Sequence, residues 1–257
     1  MNAAGNLVAL NTIVRREIVR IMRIWTQTLI PPAITMTLYF VIFGKLIGSR
    51  IGQMHGFTYM QYIVPGLVMM SIITNSYGNI SSSFFGAKFS RAVEEMLVSP
   101  MPNWVMLLGY VIGAVARGLV VGALVLLIAL FFTDLHVAHP VITFLSVLLG
   151  ATIFSLAGFV NAVFAKKFDD IALVPTFVLT PLTYLGGVFY SVDLLSEPWR
   201  SISLVNPILY MVNAFRFGVL GVSDVQIGVA FAVMLAFVIG LAAVALHLLK
   251  RGVGMRS

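Results

Sequence analysis

The chain has 257 residues, of which 60% are hydrophobic and 10% are charged, whereas soluble domains are about 45–50% apolar and about 25% charged. This composition indicates a membrane protein with room for roughly six helical spans of about 20 residues, and it excludes a second soluble domain of normal size. The lack of cysteine excludes disulfides and thiolate metal sites, and the net charge of +7 is expected at the cytoplasmic membrane surface rather than on nucleic acid.

Residues 1–24 predict an amphipathic helix, because apolar residues recur there at helical spacing. The apolar stripe comprises Leu7, Leu10, Val14, Ile18, Ile21 and Trp25. The charged residues of this predicted interfacial helix are Arg15, Arg16, Glu17, Arg20 and Arg23. Arg16, Arg20 and Arg23 fall on the side opposite the stripe, so we expect them to face anionic headgroups of the cytoplasmic leaflet. The helix is either a simple membrane anchor or a docking element for a partner.

Six apolar runs are long enough to cross a bilayer. They cover residues 25–46, 62–84, 105–132, 141–164, 171–189 and 227–249. A further apolar stretch, 202–222, is interrupted by Asn206-Pro207, Asn213 and Arg216. Irregular backbone at membrane depth must be buried in protein or face water, so we interpret this stretch as a re-entrant external hairpin. The predicted fold is therefore all-α, with a single transmembrane domain over residues 1–257.

The positive-inside rule supports six spans with both termini cytoplasmic. In that topology the inner side carries Arg15, Arg16, Arg20, Arg23, Lys88, Arg91, Lys166, Lys167, Lys250, Arg251 and Arg256. The outer side carries only Lys45, Arg50, Arg200 and Arg216. Counting 202–222 as a span would move the basic C-terminal residues outside, against the rule.

A charged island, KFSRAVEEMLVSP at residues 88–100, lies on the cytoplasmic side between the second and third predicted spans. As one helix, it would have an apolar stripe made of Phe89, Val93, Met96 and Leu97. Pro100 and Pro102 would end that helix. The island is either a surface helix that connects two spans or a docking helix whose stripe enters a groove of a cytoplasmic partner.

Three stretches resemble segments of the ABC-2 type permeases, the membrane subunits of bacterial ABC exporters, and especially their YadH-type members. They are VEEMLVSPMPNW (93–104), FDDIALVPTFVLTPLTYLGGVFY (168–190) and NPILYMVNAFRFGVLG (206–221). The resemblance implies a bacterial inner-membrane permease that pairs with a second copy of itself, each copy binding one ABC ATPase subunit. By that match, Glu94, Glu95, Leu97, Ser99 and Pro100 would lie in an ATPase-coupling region. We expect the other residues of the charged island to belong to the same region, namely Lys88, Phe89, Arg91, Val93 and Met96.

The chain contains no G-x-x-x-x-G-K-[ST] motif, so no P-loop of its own can hold a nucleotide. We therefore expect no cofactor on this chain, which would be a transport subunit and not an enzyme. ATP and Mg²⁺ would bind the partner subunit. The resemblance leaves the substrate open among lipids, glycans and apolar drugs.

Two other functions compete with this reading. An ion-coupled secondary transporter needs ionisable groups near the bilayer midplane, and no predicted span contains Asp or Glu. Prolines at 175 and 181 and the hairpin at 202–222 keep that alternative open, since broken helices also build transporter sites. A non-transporting membrane scaffold fits the hydropathy equally well, but it leaves the charged island unexplained.

Arg117 lies deep inside the third predicted span. An arginine there costs at least about 2.5–3.5 kcal/mol on insertion scales, so we expect it to face the protein interior. It would contact either the substrate pathway or acceptors of a neighbouring helix. The same segment carries Gly109, Gly113, Gly118 and Gly122, two small-x-x-x-small pairs that predict close helix packing.

Overall fold

The computed structural model describes residues 2–254, apart from the side chains of Lys45 and Ser49. Met1 and Arg256, which enter the sequence predictions above, lie outside the described residues. The elements in chain order are α1 (Ala3–Arg23), α2 (Trp25–Tyr39) with a π-helical continuation (Phe40–Ile47), α3 (Gly48–Ile51), β1 (Gln53–Met54), β2 (Phe57–Thr58), α4 (Tyr59–Phe89), α5 (Ala92–Val98), α6 (Asn103–Ala129), α7 (Pro140–Phe164), α8 (Phe168–Val174) with a π-helical continuation (Pro175–Leu179), α9 (Thr180–Tyr184), a 3-10 turn (Val192–Leu194), α10 (Trp199–Val205), α11 (Pro207–Leu220) and α12 (Ile227–Arg251).

The central element is α4, a helix of 31 residues that packs against both α6 and α7. A capping box starts it: the Thr58 hydroxyl accepts a hydrogen bond from the backbone N–H of Gln61, and the Gln61 side chain accepts one from the backbone N–H of Thr58. The two-residue strands β1 and β2 form an antiparallel pair immediately before it, with Gln53 opposite Thr58. Most of α4 is buried, including serine and asparagine side chains along its length.

Glycines on α6 permit two close helix contacts, as the sequence predicts. A Cβ at Gly109 would lie 2.6 Å from the side chain of Ile13 on α1, and one at Gly122 would lie 2.5 Å from Ile72 on α4. The two glycine pairs therefore serve different neighbours, α1 at the start of α6 and α4 further along. Such approaches favour helix association in lipid, where hydrophobicity does not drive helices together.

Four helices of the described chain have the length and hydropathy to cross a membrane: Trp25–Gly44, Asn103–Ala129, Pro140–Phe164 and Ile227–Arg251. They match four of the predicted spans closely. The pair α10 and α11, bent by 81° at a break, raises the number to five if it is counted as one span. The fold is all-α as predicted, whereas six spans remain a prediction.

The two other predicted spans have identifiable departures from an ordinary apolar helix. The segment α4 is long enough, but buried polar residues such as Ser76 and Asn79 lower its hydropathy. The helical backbone predicted for 171–189 begins at Phe168, passes through a π-helical stretch at Pro175–Leu179 and ends at Tyr184. Proline removes a helical hydrogen-bond donor, which explains the irregular stretch that begins at Pro175.

The bent pair α10 and α11 occupies the stretch interpreted as a re-entrant hairpin. Asn206 lies at the bend, where its side chain accepts a hydrogen bond from the backbone N–H of Ile208 and donates one to the carbonyl of Leu182. Arg216 was expected on the outer side, but it is 0% exposed. Its guanidinium donates to the carbonyls of Gly187 and Tyr62 at 2.6 and 3.3 Å, because a cation in this position needs buried acceptors.

Replacing Gly158 with Ala should destabilise the packing of α7 on α4. The new Cβ would lie 2.6 Å from the backbone oxygen of Tyr77, which cannot move without displacing α4. We expect a loss of about 1–3 kcal/mol, measurable as a lower thermal midpoint of the purified protein in detergent. Gly240→Ala on α12 is the matched control, since no atom lies within 4 Å of its added Cβ. Equal midpoints for the two variants would contradict this account of the packing.

Candidate cytoplasmic coupling site

The charged island at 88–100 is divided between two helices. The helix α4 continues through Phe89, and α5 begins at Ala92. Between them Arg91 adopts a left-handed conformation with φ of 61°, which is uncommon for a residue other than glycine. The prediction of one helix over the island is therefore wrong, because the chain turns at Arg91.

This turn also divides the predicted apolar stripe. Val93 is 0% exposed, and Met96 and Leu97 are partly buried against the core, so α5 docks on the protein through these three residues. Phe89 belongs to α4 and is 70% exposed. The outward face of α5 presents Val98, which is 89% exposed.

Two carboxylates project from the first turn of α5. Glu95 is exposed and Glu94 is half-buried. Within residues 2–254, neither forms an ion pair with a basic group of the same chain. The helix ends at Val98. The Ser99 hydroxyl then donates to the carbonyl of Met96 at 2.7 Å, and Pro100 follows. The segment therefore presents unpaired negative charge on a short, firmly docked helix.

Lys88 joins the end of α4 to the end of α7. Its ammonium donates to the carbonyls of Val163 and Ala165, both at 2.7 Å. These carbonyls lie at the C-terminal end of α7, where a cation is favoured by the helix dipole. Partial burial lowers the pKa of Lys88. Lys88 is therefore an internal clamp, which the sequence pattern did not predict.

The beginning of α8 packs beside this clamp. The ring of Phe168 lies 4.9 Å from that of Phe85 and 5.3 Å from that of Phe89. Asp170 accepts hydrogen bonds from the backbone N–H groups of Lys166 and Lys167, and these bonds lower the pKa of the Asp170 carboxyl. The loop from α7 to α8 is thus held against the end of α4.

The N-terminal helix α1 is present as predicted, and one of its faces packs against the bundle. Ile13, Glu17 and Ile21 face the protein, whereas Leu7 and Ile18 of the predicted apolar stripe are exposed. Glu17 is 1% exposed, although the sequence analysis predicted no contact for it. The bundle therefore buries a face of α1 that shares only Ile21 with the predicted stripe.

Glu17 is the centre of a buried polar cluster. Its carboxylate accepts from the Ser83 hydroxyl at 2.6 and 2.7 Å and pairs with Arg20 at 3.1 Å. Arg20 also donates to the side chain of Asn79 at 2.7 Å, and Arg16 donates to the hydroxyl of Tyr110. Arg20 therefore binds acceptors of the bundle instead of facing headgroups, whereas Arg16 remains exposed despite its bond to Tyr110. Arg15 and Arg23 remain exposed.

The two candidate elements α1 and α5 face each other across a cleft of about 400 Å³. The lining residues are Ala9, Thr12, Ile13, Arg16, Glu95, Met96, Ser99 and Met101. The fold therefore brings the charged island next to the N-terminal helix, although two predicted spans separate them in the sequence.

A polar cluster at the opposite end of α4 escaped the sequence analysis. The carboxylate of Asp224 accepts from the Ser191 hydroxyl at 2.9 Å and from the backbone N–H of Val192 at 3.0 Å, and it lies 3.6 Å from the ring nitrogen of His55. The guanidinium of Arg216 lies 4.0 Å from the ring centre of Tyr62. No motif spacing signals this cluster, since its members come from distant segments.

Arg117 lies in a second cleft, of about 350 Å³, between α2, α4 and α6. Its Nε is buried without a hydrogen-bond partner. This position agrees with the expectation that Arg117 faces the protein interior. Within the described residues, however, no acceptor binds its guanidinium.

Comparison with known proteins agrees with this architecture. Residues 8–220 match the family model described as ABC-2 type transporter. The chain is 60% identical, over 97% of its length and 98% of the relative, to the protein named inner membrane transport permease YadH of Escherichia coli K12. It is also 24% identical to nodulation protein J of Rhizobium meliloti, over 79% of this chain and 78% of that protein.

The chain belongs to the ABC-2 type transporter family. The family match and the near full-length similarity to a named transport permease make it a transport permease of the membrane-spanning kind. This ABC-2 permease places its charged island, its N-terminal helix and the cleft between them at one end of the bundle.

Replacing Glu17 with Ala should loosen α1 from the permease. Ser83 and Arg20 would lose their common acceptor, and leaving such partly buried donors unsatisfied costs about 1–3 kcal/mol. We expect faster hydrogen–deuterium exchange across Ala3–Arg23 and easier proteolysis within that helix. Arg23→Ala removes an exposed charge from the same helix and should leave exchange near the wild-type rate. Unchanged exchange in Glu17→Ala would contradict an anchoring role for the cluster.

Proposed function

We propose that this chain is the permease half of an ABC-2 exporter in the bacterial inner membrane. It works as a homodimer, and each copy binds a separate cytoplasmic ABC ATPase that carries ATP and Mg²⁺. The single observation that carries the proposal is α5, which is docked through the buried Val93. Glu95 is exposed and Glu94 is half-buried, and neither pairs with a basic group among the described residues. A basic groove on the ATPase would complement these two carboxylates.

Two contacts explain how a push on α5 would reach the membrane helices. Val93 is buried in the core, so α5 cannot move without disturbing its neighbours. Lys88 bonds the end of α4 to the carbonyls of Val163 and Ala165 at the end of α7. Movement of α5 would therefore displace α4 and α7 together, and Arg91 would be the point at which the chain bends.

The homodimer is supported by polar residues on an outer face of the bundle. Gln27 and Thr35 on α2 and Thr74 on α4 are exposed beside the cleft that contains Arg117. Polar groups are costly where they meet lipid, so this face requires water or another protein surface. A second copy packed around this face would enclose a polar path between the two bundles.

The inner-membrane location, the cytoplasmic termini and the direction of transport extend the family assignment. The name of the relative from Escherichia coli includes inner membrane transport permease, which supports the location. The excess of lysine and arginine on one side supports cytoplasmic termini. Under the proposal, the cytoplasmic side carries α1, α5 and the loop from α7 to α8.

An ion-coupled transporter and a membrane scaffold are the competing functions. The long helices α4, α6, α7 and α12 contain no Asp or Glu, which disfavours proton or sodium coupling within the bundle. Glu17 is a buried carboxylate, but Arg20 and Ser83 already engage it. A scaffold would need neither the exposed carboxylates of α5 nor a nucleotide-hydrolysing partner.

Reversing the charge of Glu94 and Glu95 to Lys should separate the permease from its ATPase. Like charges brought together in an interface cost several kcal/mol, so we expect at least about a tenfold loss of ATPase subunit in the purified complex. Substrate-stimulated ATP hydrolysis in liposomes should fall with it, while insertion and thermal stability of the permease stay normal.

The single change Glu95→Lys has a control of equal charge in Asp134→Lys, an exposed position in the segment between α6 and α7. Only the first should weaken the complex. A permease that retains its ATPase after reversal at 94 and 95 would argue against coupling through α5. Transport driven by an ion gradient without any ATPase would favour the secondary transporter, and the absence of both activities would favour the scaffold.

Cysteine substitutions test the proposed dimer face cleanly, because the natural chain contains no cysteine. Thr35→Cys should form dimers with a short thiol cross-linker in native membranes. Val244→Cys on α12 is exposed on another helix and should stay monomeric under the same treatment. Cross-linking at 244 but not at 35 would assign the dimer to a different face.

A further inference from the structure

The cleft that contains Arg117 is lined by both polar and apolar residues. It lies between α2, α4 and α6, with a volume of about 350 Å³. Its polar lining comprises Gln27, Thr35, Ser71, Thr74, Asn75 and Arg117. Its apolar and aromatic lining comprises Pro31, Pro32, Met36, Tyr39 and Met70. This combination suits a molecule with a polar group joined to an apolar body.

Arg117 differs from the other partly or fully buried cations of the described chain. Arg20, Lys88 and Arg216 each donate to at least one oxygen of the protein, and so does the exposed Arg16. For Arg117 no such bond is found within residues 2–254, and its Nε is buried without an acceptor. No carboxylate of the described residues lies within 4.0 Å of it. The protein therefore leaves this charge uncompensated.

The surroundings of Arg117 increase that imbalance. The charge of Arg20 also acts on Arg117, and two like charges repel each other. The nearby side chains of Ser71, Thr74 and Asn75 donate to the backbone carbonyls of Leu67, Met70 and Ser71 within their own helix. Ser71 and Thr74 thus use their single O–H donors within the helix, and Asn75 uses one of its two N–H donors there. The guanidinium is the cationic donor that the cleft offers to a ligand.

We propose that this cleft binds the anionic group of an amphipathic molecule, with Arg117 forming the charged hydrogen bonds. A guanidinium presents planar donors that match a phosphate or carboxylate. Met36, Met70 and Tyr39 would contact the apolar part of the ligand. The ligand is either the transported molecule or an anionic phospholipid of the bilayer, and in the first case the inference rests on the proposed transport function.

Binding of dodecyl phosphate to the purified permease in a neutral detergent tests the site. The probe should raise the thermal midpoint of the wild type in a saturable way, whereas dodecyl phosphocholine, whose headgroup is neutral overall, should have a much smaller effect. Arg117→Gln should weaken binding of dodecyl phosphate at least about tenfold, because bonds to a charged group are the strong ones.

The stability of the variants without a ligand gives a second, independent readout. Arg117→Gln removes an uncompensated charge, so its midpoint without probe should equal or exceed that of the wild type. Arg117→Lys keeps the charge and should retain part of the response to dodecyl phosphate. Arg50→Gln removes an exposed arginine elsewhere and should bind the probe like the wild type. Equal stabilisation of wild type and Arg117→Gln by the probe, or no stabilisation of the wild type, would overturn the proposal.

Mass spectrometry of the permease purified from its native membrane distinguishes the two sources. A phospholipid that co-purifies stoichiometrically with the wild type and is lost in Arg117→Gln would identify a resident bilayer lipid. Binding of dodecyl phosphate without any such co-purified lipid would identify a transient ligand, as expected of a transported molecule. These measurements use the permease alone, so their outcome does not depend on ATPase binding at Glu94 and Glu95.

Discussion

The close approach of α4 to α6 and α7 is the contact on which the other parts of the permease depend. Gly158 lets α7 approach until a Cβ would lie 2.6 Å from the backbone oxygen of Tyr77, and the Ser81 hydroxyl bonds the carbonyl of Gly158 at 3.1 Å. In lipid, such packing and buried hydrogen bonds replace the hydrophobic driving force that holds soluble cores together. A helix rich in serine and asparagine can therefore occupy the centre of the bundle.

Because α4 is central, it connects the two ends of the molecule. Near one end, Ser83 anchors α1 through Glu17, and Lys88 binds the carbonyls that end α7. Near the other, the backbone of Tyr62 accepts from Arg216, and the Tyr62 ring stacks beside that guanidinium. If a cytoplasmic partner displaced α4, as we propose, the displacement would reach the polar cluster around Asp224 at the opposite end. The route consists of direct contacts along one continuous helix.

The buried charges of the permease separate into two kinds. Glu17, Arg20 and Arg216 have partners within the fold, so their contribution is to position α1 and α11. Arg117 forms no hydrogen bond or ion pair with the described residues, and it lies in a cleft that is open to the outer face of α2 and α4. A charged side chain that has a partner within the fold helps to hold the helices in place. For a charged side chain without such a partner, a ligand of opposite charge is the simplest way to compensate the charge. The same reasoning separates Lys88, which is bonded, from the unpaired Glu95 of α5.

Composition and periodicity alone determined that this is an all-α membrane protein, and they located the N-terminal helix, the helices α6, α7 and α12 and the glycine contacts of α6. These features follow from local hydropathy and residue spacing, because the bilayer thickness sets the length of a spanning helix and the helical repeat sets which residues share a face. Only the tertiary structure decided the turn at Arg91, the burial of Glu17 against Ser83 and the burial of Arg216 against Tyr62. The turn places a non-glycine residue in a left-handed conformation, and nothing in the neighbouring sequence indicates it. The burial of the two charges depends on acceptors supplied by segments far away in the chain, which no pattern around Glu17 or Arg216 can specify.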